Sequence, residues 1–325
     1  MAEIDPSWPQ CFASHRYQAP HPGPSLIVTG AVHGNEHCGT LAIRRVMAEL
    51  EQGALALRSG RLTLVPVSNP LAFRLKQRGG ERNLNRKLAP RANPADFEDH
   101  VANWLCPLLS EHEVLLDLHS FQSQGHPFVF LGPRDNAGEL EPFAHSAEEE
   151  ALAQRLGVGR AVDGWLSTYA LGVERRRRRP AGDARQPVPD DDPRYGVGTT
   201  EYMRQQGGWA LTLECGQHDD PAAPLVAYQA IVNTLAHLGM LDAPPPAAGP
   251  LEALSLYEVV DKLDEADRFA RDWASFDAVS KDELIGWRAD GSPVTALDDG
   301  RIVFPNPKAP AGQEWFYLAR ASSRF

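Results

Sequence analysis

The stretch SLIVTGAVHGNEHCGTLAIRRVMAEL, residues 25–50, decides the fold. Residues 25–29 form a compact apolar run ending at Gly30, the pattern of a strand buried on both faces. The period then changes: across residues 39–50, Leu41, Ala42, Val46, Met47 and Leu50 recur at helical spacing. Residues 61–68 (RLTLVPVS) and 113–118 (EVLLDL) read as two more buried strands, and residues 94–109 set Phe97, Val101, Trp104 and Leu108 on one helical face. A fourth strand, residues 209–213 (WALTL), precedes an amphipathic helix over residues 222–238. Strands alternating with helices imply an α/β sheet.

Beyond this core lies the Pro/Ala-rich stretch DAPPPAAGP, residues 242–250, the best linker candidate in the chain. It divides the chain into residues 1–245, the larger domain, and residues 246–325, a small β-rich C-terminal domain. The latter has strand patterns at residues 254–260, 300–305 and 314–319, with Asp-Gly turns at Asp290-Gly291 and Asp299-Gly300. Residues 174–198 carry five consecutive arginines, Arg175 to Arg179, then an acidic, Pro-rich patch, with neither helical nor strand period. That segment reads as a long solvated loop.

Composition narrows the function classes. With 325 residues, 42% of them hydrophobic, the chain can bury a large core. A formal net charge of -11 argues against general nucleic-acid binding, because a phosphate backbone would be repelled by the chain as a whole. The acidic start, with Glu3 and Asp5, leads into no apolar targeting segment, and no stretch approaches the roughly 20 apolar residues of a membrane span. A protein of the cytoplasm, without membrane contact, is expected. Cys11, Cys38, Cys106 and Cys215 form no CxxC pair, so neither a disulfide framework nor a thiolate zinc site is indicated. Within this acidic chain, Arg74, Lys76, Arg78, Arg82, Arg86, Lys87 and Arg91 face a single acid, Glu81, over residues 74–91. Such an island suits an anion site and equally a solvated loop face.

Strand ends are where ligands gather in open α/β sheets. His33 with Glu36, Asn69, His119 and Glu214 all sit at such ends. His33 and Glu36 supply an imidazole and a carboxylate just after a strand, and a catalytic zinc needs a third protein ligand and an open position. His119, in Leu116-Asp117-Leu118-His119-Ser120, is the best candidate for that ligand. His145 and Glu148 share the spacing of His33 and Glu36 but belong to a helix start, where Ser146 and Glu149 make a capping box. Asp117 is assigned no role, since alternation along the strand leaves it free to point away.

Taken in order, GAVHGNEHCG, NPLAFRLKQRGGERNLNR, DLHS and TLECG resemble the motifs of succinylglutamate desuccinylases and aspartoacylases, relatives of the zinc carboxypeptidases. The resemblance runs over residues 25–240, and the C-terminal segment resembles the small domain those enzymes carry. It implies a mixed sheet flanked by helices and one zinc ion per chain on His33, Glu36 and His119. Glu214 would be the general base and acid, Arg78 would polarise the scissile carbonyl, and Asn85 with Arg86 would hold a substrate carboxylate. Arg74, Arg82 and Arg91 are read as a solvated face. The expected substrate is a small anionic N-acyl amino acid, whose acyl group is selected by residues between the third ligand and the base, with Tyr195, Tyr202 and His218 as candidates. A carboxypeptidase-like peptidase and a non-hydrolytic metabolite-binding protein are the alternative readings. The C-terminal domain is a candidate for shaping pocket access, for stabilising the chain or for mediating homo-oligomerisation.

Overall fold

The computed structural model describes residues 8–9, 11–177 and 192–325. The readings placed on Met1 to Asp5, on Arg178 and Arg179, and on the acidic patch after them lie outside these residues. The strands are β1 (His15–Gln18), β2 (His21–Gly30), β3 (Ser59–Val65), β4 (Val114–Phe121), β5 (Phe128–Phe130), β6 (Arg160–Asp163), β7 (Trp209–Gln217), β8 (Glu252–Asp261), β9 (Arg268–Phe269), β10 (Ala278–Val279), β11 (Leu284–Trp287), β12 (Pro293–Thr295), β13 (Gly300–Val303) and β14 (Glu314–Ala321). The helices are α1 (Cys38–Glu51), α2 (Pro70–Leu75), α3 (Phe97–Ser110), α4 (Ser146–Ala153), α5 (Trp165–Arg177), α6 (Thr199–Gln205) and α7 (Ala223–His237).

Eleven strands make one mixed sheet in the order β1-β3-β2-β4-β7-β5-β6-β8-β14-β13-β10, and β12-β11-β9 form a small second sheet. Its centre, β3-β2-β4-β7, is parallel. Because side chains alternate along a strand, Leu26 and Val28 enter the core under α1, α4 and α7, while Ile27 enters the core under α3 and α6. Both faces are covered, which is why the run is apolar throughout. The mixed α/β fold expected from the sequence is the one observed.

Two readings are corrected. The arginine run does not start in a loop: α5 extends through Arg177, carried by Leu166, Tyr169 and Val173, which are buried at helical spacing. Arginine is a good helix former, so the helix continues past its last buried side chain. Nor do Ser146 and Glu149 make a capping box, since the residue before α4 is His145 and it makes no side-chain cap bond. Glu149 is instead fully buried, accepting from the Gly132 and Ala210 N–H groups at 2.7 and 3.0 Å and from Arg204 Nε at 2.8 Å.

Arg204 ties α6 to the sheet. It also reaches Glu141 Oε1 at 3.0 Å and Glu201 Oε1 at 3.6 Å. Burial and the neighbouring carboxylates push the Glu141 pKa up to about 7, even though Arg204 pulls it down. One cation thus keeps three acids tolerable in the interior. Removing one partner of such a buried network typically costs about 3–5 kcal/mol. Arg204→Met is expected to lose stability of that order, read as a fall in the urea midpoint, whereas Arg45→Met, at an exposed pair with Glu49, should shift it little.

Candidate functional site

β2 ends at Gly30, and the chain leaves it through Ala31 in the left-handed region, φ 47. This bend starts the loop that carries His33 and Glu36. The loop lies hard against α2: a Cβ on Gly34 would stand 1.9 Å from the Ala72 carbonyl carbon, so no larger residue fits. His33 O accepts from the Glu36 N–H at 3.2 Å, folding the carboxylate back towards the imidazole. His33 Nδ1 lies 2.9 Å from Glu36 Oε1, and His119 Nδ1, at the end of β4, lies 2.9 Å from Glu36 Oε2. One ligand atom from each of these three buried residues falls within 4.8 Å of the others, so the group could hold a metal ion.

The chemistry of the donor set fits zinc. Each imidazole offers Nδ1 to the centre, and each Nε2 is occupied elsewhere: by Asn83 Oδ1 at 3.0 Å for His33 and by Asp117 Oδ2 at 2.8 Å for His119. An Nε2–H donated outward leaves the lone pair on Nδ1, the arrangement metal-bound histidines show. Two imidazoles and one carboxylate leave a tetrahedral zinc one open position.

Asp117, given no role from sequence, is central to this. It is fully buried and accepts from Thr29 Oγ1 at 2.5 Å, from His119 Nε2 and from the Thr199 hydroxyl. A separation of two along a strand puts Asp117 and His119 on one face, which was the readable signal. Thr199 does a second thing: its N–H donates to Asn85 Oδ1 at 2.9 Å, joining the histidine's support to the loop of Asn83, Asn85 and Arg86. Gly198 makes room for that bond, because a Cβ there would sit 2.0 Å from Asn85 Oδ1.

Glu214 stands beside His119 in register on β7. Its Oε2 is buried and has no hydrogen-bond partner among the described residues. Burial, reinforced by the charge of Glu36 and only partly offset by His119, pushes its pKa up to about 8. The neighbouring carboxylate goes the other way: although burial opposes it, His33 and His119 hold Glu36 well below its ordinary range. His33 is pushed down to about 4 by burial and by Arg78, while Asp117 and Glu36 overcome burial to hold His119 well above 6.5.

Over these groups opens a cavity of about 590 Å³, lined by Arg78, Asn85, Arg86, Tyr195, Glu214 and His218 among others. Arg78, half-exposed, reaches Glu36 Oε1 at 3.4 Å. Arg86 is buried, with its guanidinium 5.3 Å over Trp165 and 5.0 Å over Tyr169. Burial opposes its charge, yet Tyr169, Glu314 and Tyr317 raise its pKa above the ordinary value. All seven residues singled out from the motifs therefore meet around one space.

The lesser candidates divide. Tyr195 and His218 line the cavity, His218 Nδ1 lying 2.9 Å from Ser120 Oγ, whereas Tyr202 is buried near Ser110 and Cys106. His145 and Glu148 meet at 3.4 Å on the surface, away from the centre. Arg82 is not a solvated side chain: it is held by Asp96 and Asp99 at 2.8 Å each and donates to the Arg86 carbonyl. Sequence reasoning missed this because both acids lie on the start of the next helix, a contact no local pattern displays.

The family model of the succinylglutamate desuccinylase/aspartoacylase catalytic domain matches residues 22–160. A succinylglutamate desuccinylase/aspartoacylase from Rhodobacter sphaeroides superposes with a TM-score of 0.69 at 20% identity, covering 96% of this chain and 90% of that one. The product-bound ectoine utilization protein EutE (DoeB) from Ruegeria pomeroyi gives 0.70 at 19% identity, covering 95% and 88%. Succinylglutamate desuccinylase from Vibrio cholerae gives 0.67 at 18%, covering 94% and 82%. At such identities the likeness speaks for the fold. No curated protein matches the chain by sequence.

Two outcomes follow from this geometry. Thr199→Val strips Asp117 of a donor and is expected to weaken zinc affinity about tenfold to a hundredfold, measured by competition with a chromogenic chelator. Thr199→Ser should retain most of it. For Glu214 the folded pKa is raised from 4.5 to about 8, so its contribution to stability is fully present below about pH 4.5 and is lost as pH rises through about 8. Metal-free wild type should accordingly lose ground to Glu214→Gln over that window in urea melts, and parallel curves would refute it.

Proposed function

We propose, from the match of residues 22–160 to the succinylglutamate desuccinylase/aspartoacylase family model, that this chain is a zinc-dependent deacylase cleaving the amide of an N-acyl amino acid or similar small carboxylate. The observation that carries this reading is Glu214, whose buried Oε2 has no hydrogen-bond partner among the described residues, beside a His-Glu-His group and under a cavity with a buried arginine. Zinc held by His33, Glu36 and His119 would supply a Lewis acid and make water a better nucleophile near neutral pH.

The protein's own groups do the rest. Burial pushes the Glu214 pKa up to about 8 without metal; the charge of a bound cation would favour its carboxylate, which would take the proton of the attacking water and then deliver it to the leaving amine nitrogen. Arg78, within reach of Glu36, is placed to donate to the scissile carbonyl oxygen as negative charge develops there. Arg86 pairs with the substrate carboxylate through its planar fork. Asn85 has its Oδ1 taken by Thr199, leaving Nδ2 as the donor to that carboxylate. His119 is kept in its tautomer by Asp117 and turns no proton over.

The division at residue 245 is part of the same proposal. It falls in the irregular stretch between α7 and β8, and the segment beyond it contributes Phe304, Gln313, Glu314 and Tyr317 to the cavity wall. We assign the 246–325 domain to shaping access to the site.

Glu214→Gln is expected to lower kcat for deacylation by about a thousandfold while zinc content by elemental analysis stays at wild-type level. Cleavage of short peptides without deacylation would move the reading to a peptidase. Tight binding of acyl amino acids by zinc-loaded wild type, with no turnover, would make it a binding protein.

A further inference from the structure

We propose that the substrate carries one carboxylate and a bulky aromatic group, not a second acidic group; this inference rests on the deacylase reading. The cavity's cations argue for it first. Among the described lining residues, Arg82 is neutralised by Asp96 and Asp99, and Arg204 by Glu141 and Glu149. Arg78 already faces Glu36, and the proposed mechanism commits it to the scissile carbonyl. Arg86 is left: it is buried, and although the charge of Glu314 and the Tyr169 hydroxyl act on it, no carboxylate among the described residues stands within ion-pair distance of it.

An N-acylated aspartate or glutamate brings two carboxylates, and a succinyl group adds another. The second would lie in a space also lined by two acids that already hold their partners, Glu201 by the Gly198 N–H and Arg204, and Glu314 by the Tyr169 hydroxyl, so that neither cation nor donor is spare for it there. Like charges brought together in a partly dehydrated pocket repel, so a diacid is disfavoured.

The remaining wall is aromatic. Trp165 stands 5.6 Å from Phe130 and 5.4 Å from Tyr317, and Phe304 stands 5.6 Å from Phe121 and 6.0 Å from Phe130. Trp165 and Phe304 are half-buried, so part of each ring remains for a ligand. Phe304 also adopts φ 51, a region bulky side chains rarely enter, with its N–H held by Ser275 Oγ at 3.0 Å. Backbone strain of that kind persists where the surroundings over-determine it, and it gathers at ligand sites. An aromatic ring against this wall gains edge-to-face contacts while its carboxylate reaches Arg86 over Trp165. At about 590 Å³ the cavity falls in the range that encloses ligands of that bulk.

The test uses the full chain loaded with zinc. Initial rates are measured with N-acetylphenylalanine, N-acetyltryptophan, N-acetylaspartate and N-succinylglutamate, and the same compounds are titrated into Glu214→Gln by calorimetry. Both kcat/KM and affinity should favour the aromatic compounds by about tenfold or more. Phe304→Ala should bring that preference towards parity, and Phe304→Leu, which keeps the wall filled, should retain part of it. A preference for N-acetylaspartate or N-succinylglutamate in either measurement overturns the inference and leaves the deacylase reading standing. Aromatic-selective binding without turnover of any compound would support the pocket's selectivity while removing the deacylase reading. Binding of none of them would overturn the inference as well.

Discussion

A carboxylate with no solvent around it is the constraint from which the site is built. Asp117 is fully buried in the middle of the parallel sheet, and leaving such a charge unpaired would cost far more than any one contact returns. It is made tolerable by donors from three other places: Thr29 on the neighbouring strand, His119 two residues on, and Thr199 at the start of α6. Burial opposes the charge, but His119 and these hydrogen bonds hold its pKa below the ordinary carboxylate value. The need to satisfy Asp117 therefore draws α6, β2 and the imidazole into one arrangement. Because Thr199 also donates to Asn85, the arrangement extends to the loop that carries Arg86.

Around that anchor, two further carboxylates are separated in character. Glu36 lies between two imidazoles and is held ionised, while Glu214 has no hydrogen-bond partner on Oε2 among the described residues and is pushed towards the neutral form. They differ because of what surrounds them, and pairs of acids driven apart in this way are how one site obtains a ligand and a proton carrier. Their placement comes from strand register: β4 and β7 are parallel neighbours with His119 opposite Glu214, and β2 lies on the other side of β4. Loops at the ends of a parallel sheet converge without further instruction.

Much of this could be read in the sequence, and the reasons differ from residue to residue. The buried strands were legible because parallel strands covered on both faces are apolar throughout, and Leu26, Ile27 and Val28 need no partner to declare it. Residues at strand ends were legible as site candidates because topology carries them to one edge. What failed were contacts between segments distant in sequence. Glu149 looked like a local capping residue, yet it is claimed by Arg204, 55 residues on; Arg82 looked solvated, yet Asp96 and Asp99 hold it. Asp117 is different, since its two-residue offset from His119 puts both on one face of the strand and is visible in the sequence itself.

The C-terminal segment shows why a boundary in composition need not be a boundary in function. The Pro-rich stretch carries no regular element, yet β8 beyond it pairs with β6 and β14 pairs with β8, so the sheet runs on across it. Extending the sheet brings Phe304 and Tyr317 round to face the cavity and sets Tyr317 beside Trp165 of α5. The polar end of the cavity thus comes from the loops near the parallel strands, and its aromatic end is shared between Phe121, Phe130 and Trp165 and, from the last quarter of the chain, Phe304 and Tyr317. A site divided in this way can alter what it accepts by changes in the later segment alone, leaving His33, Glu36, His119 and the Asp117 cluster that holds them untouched.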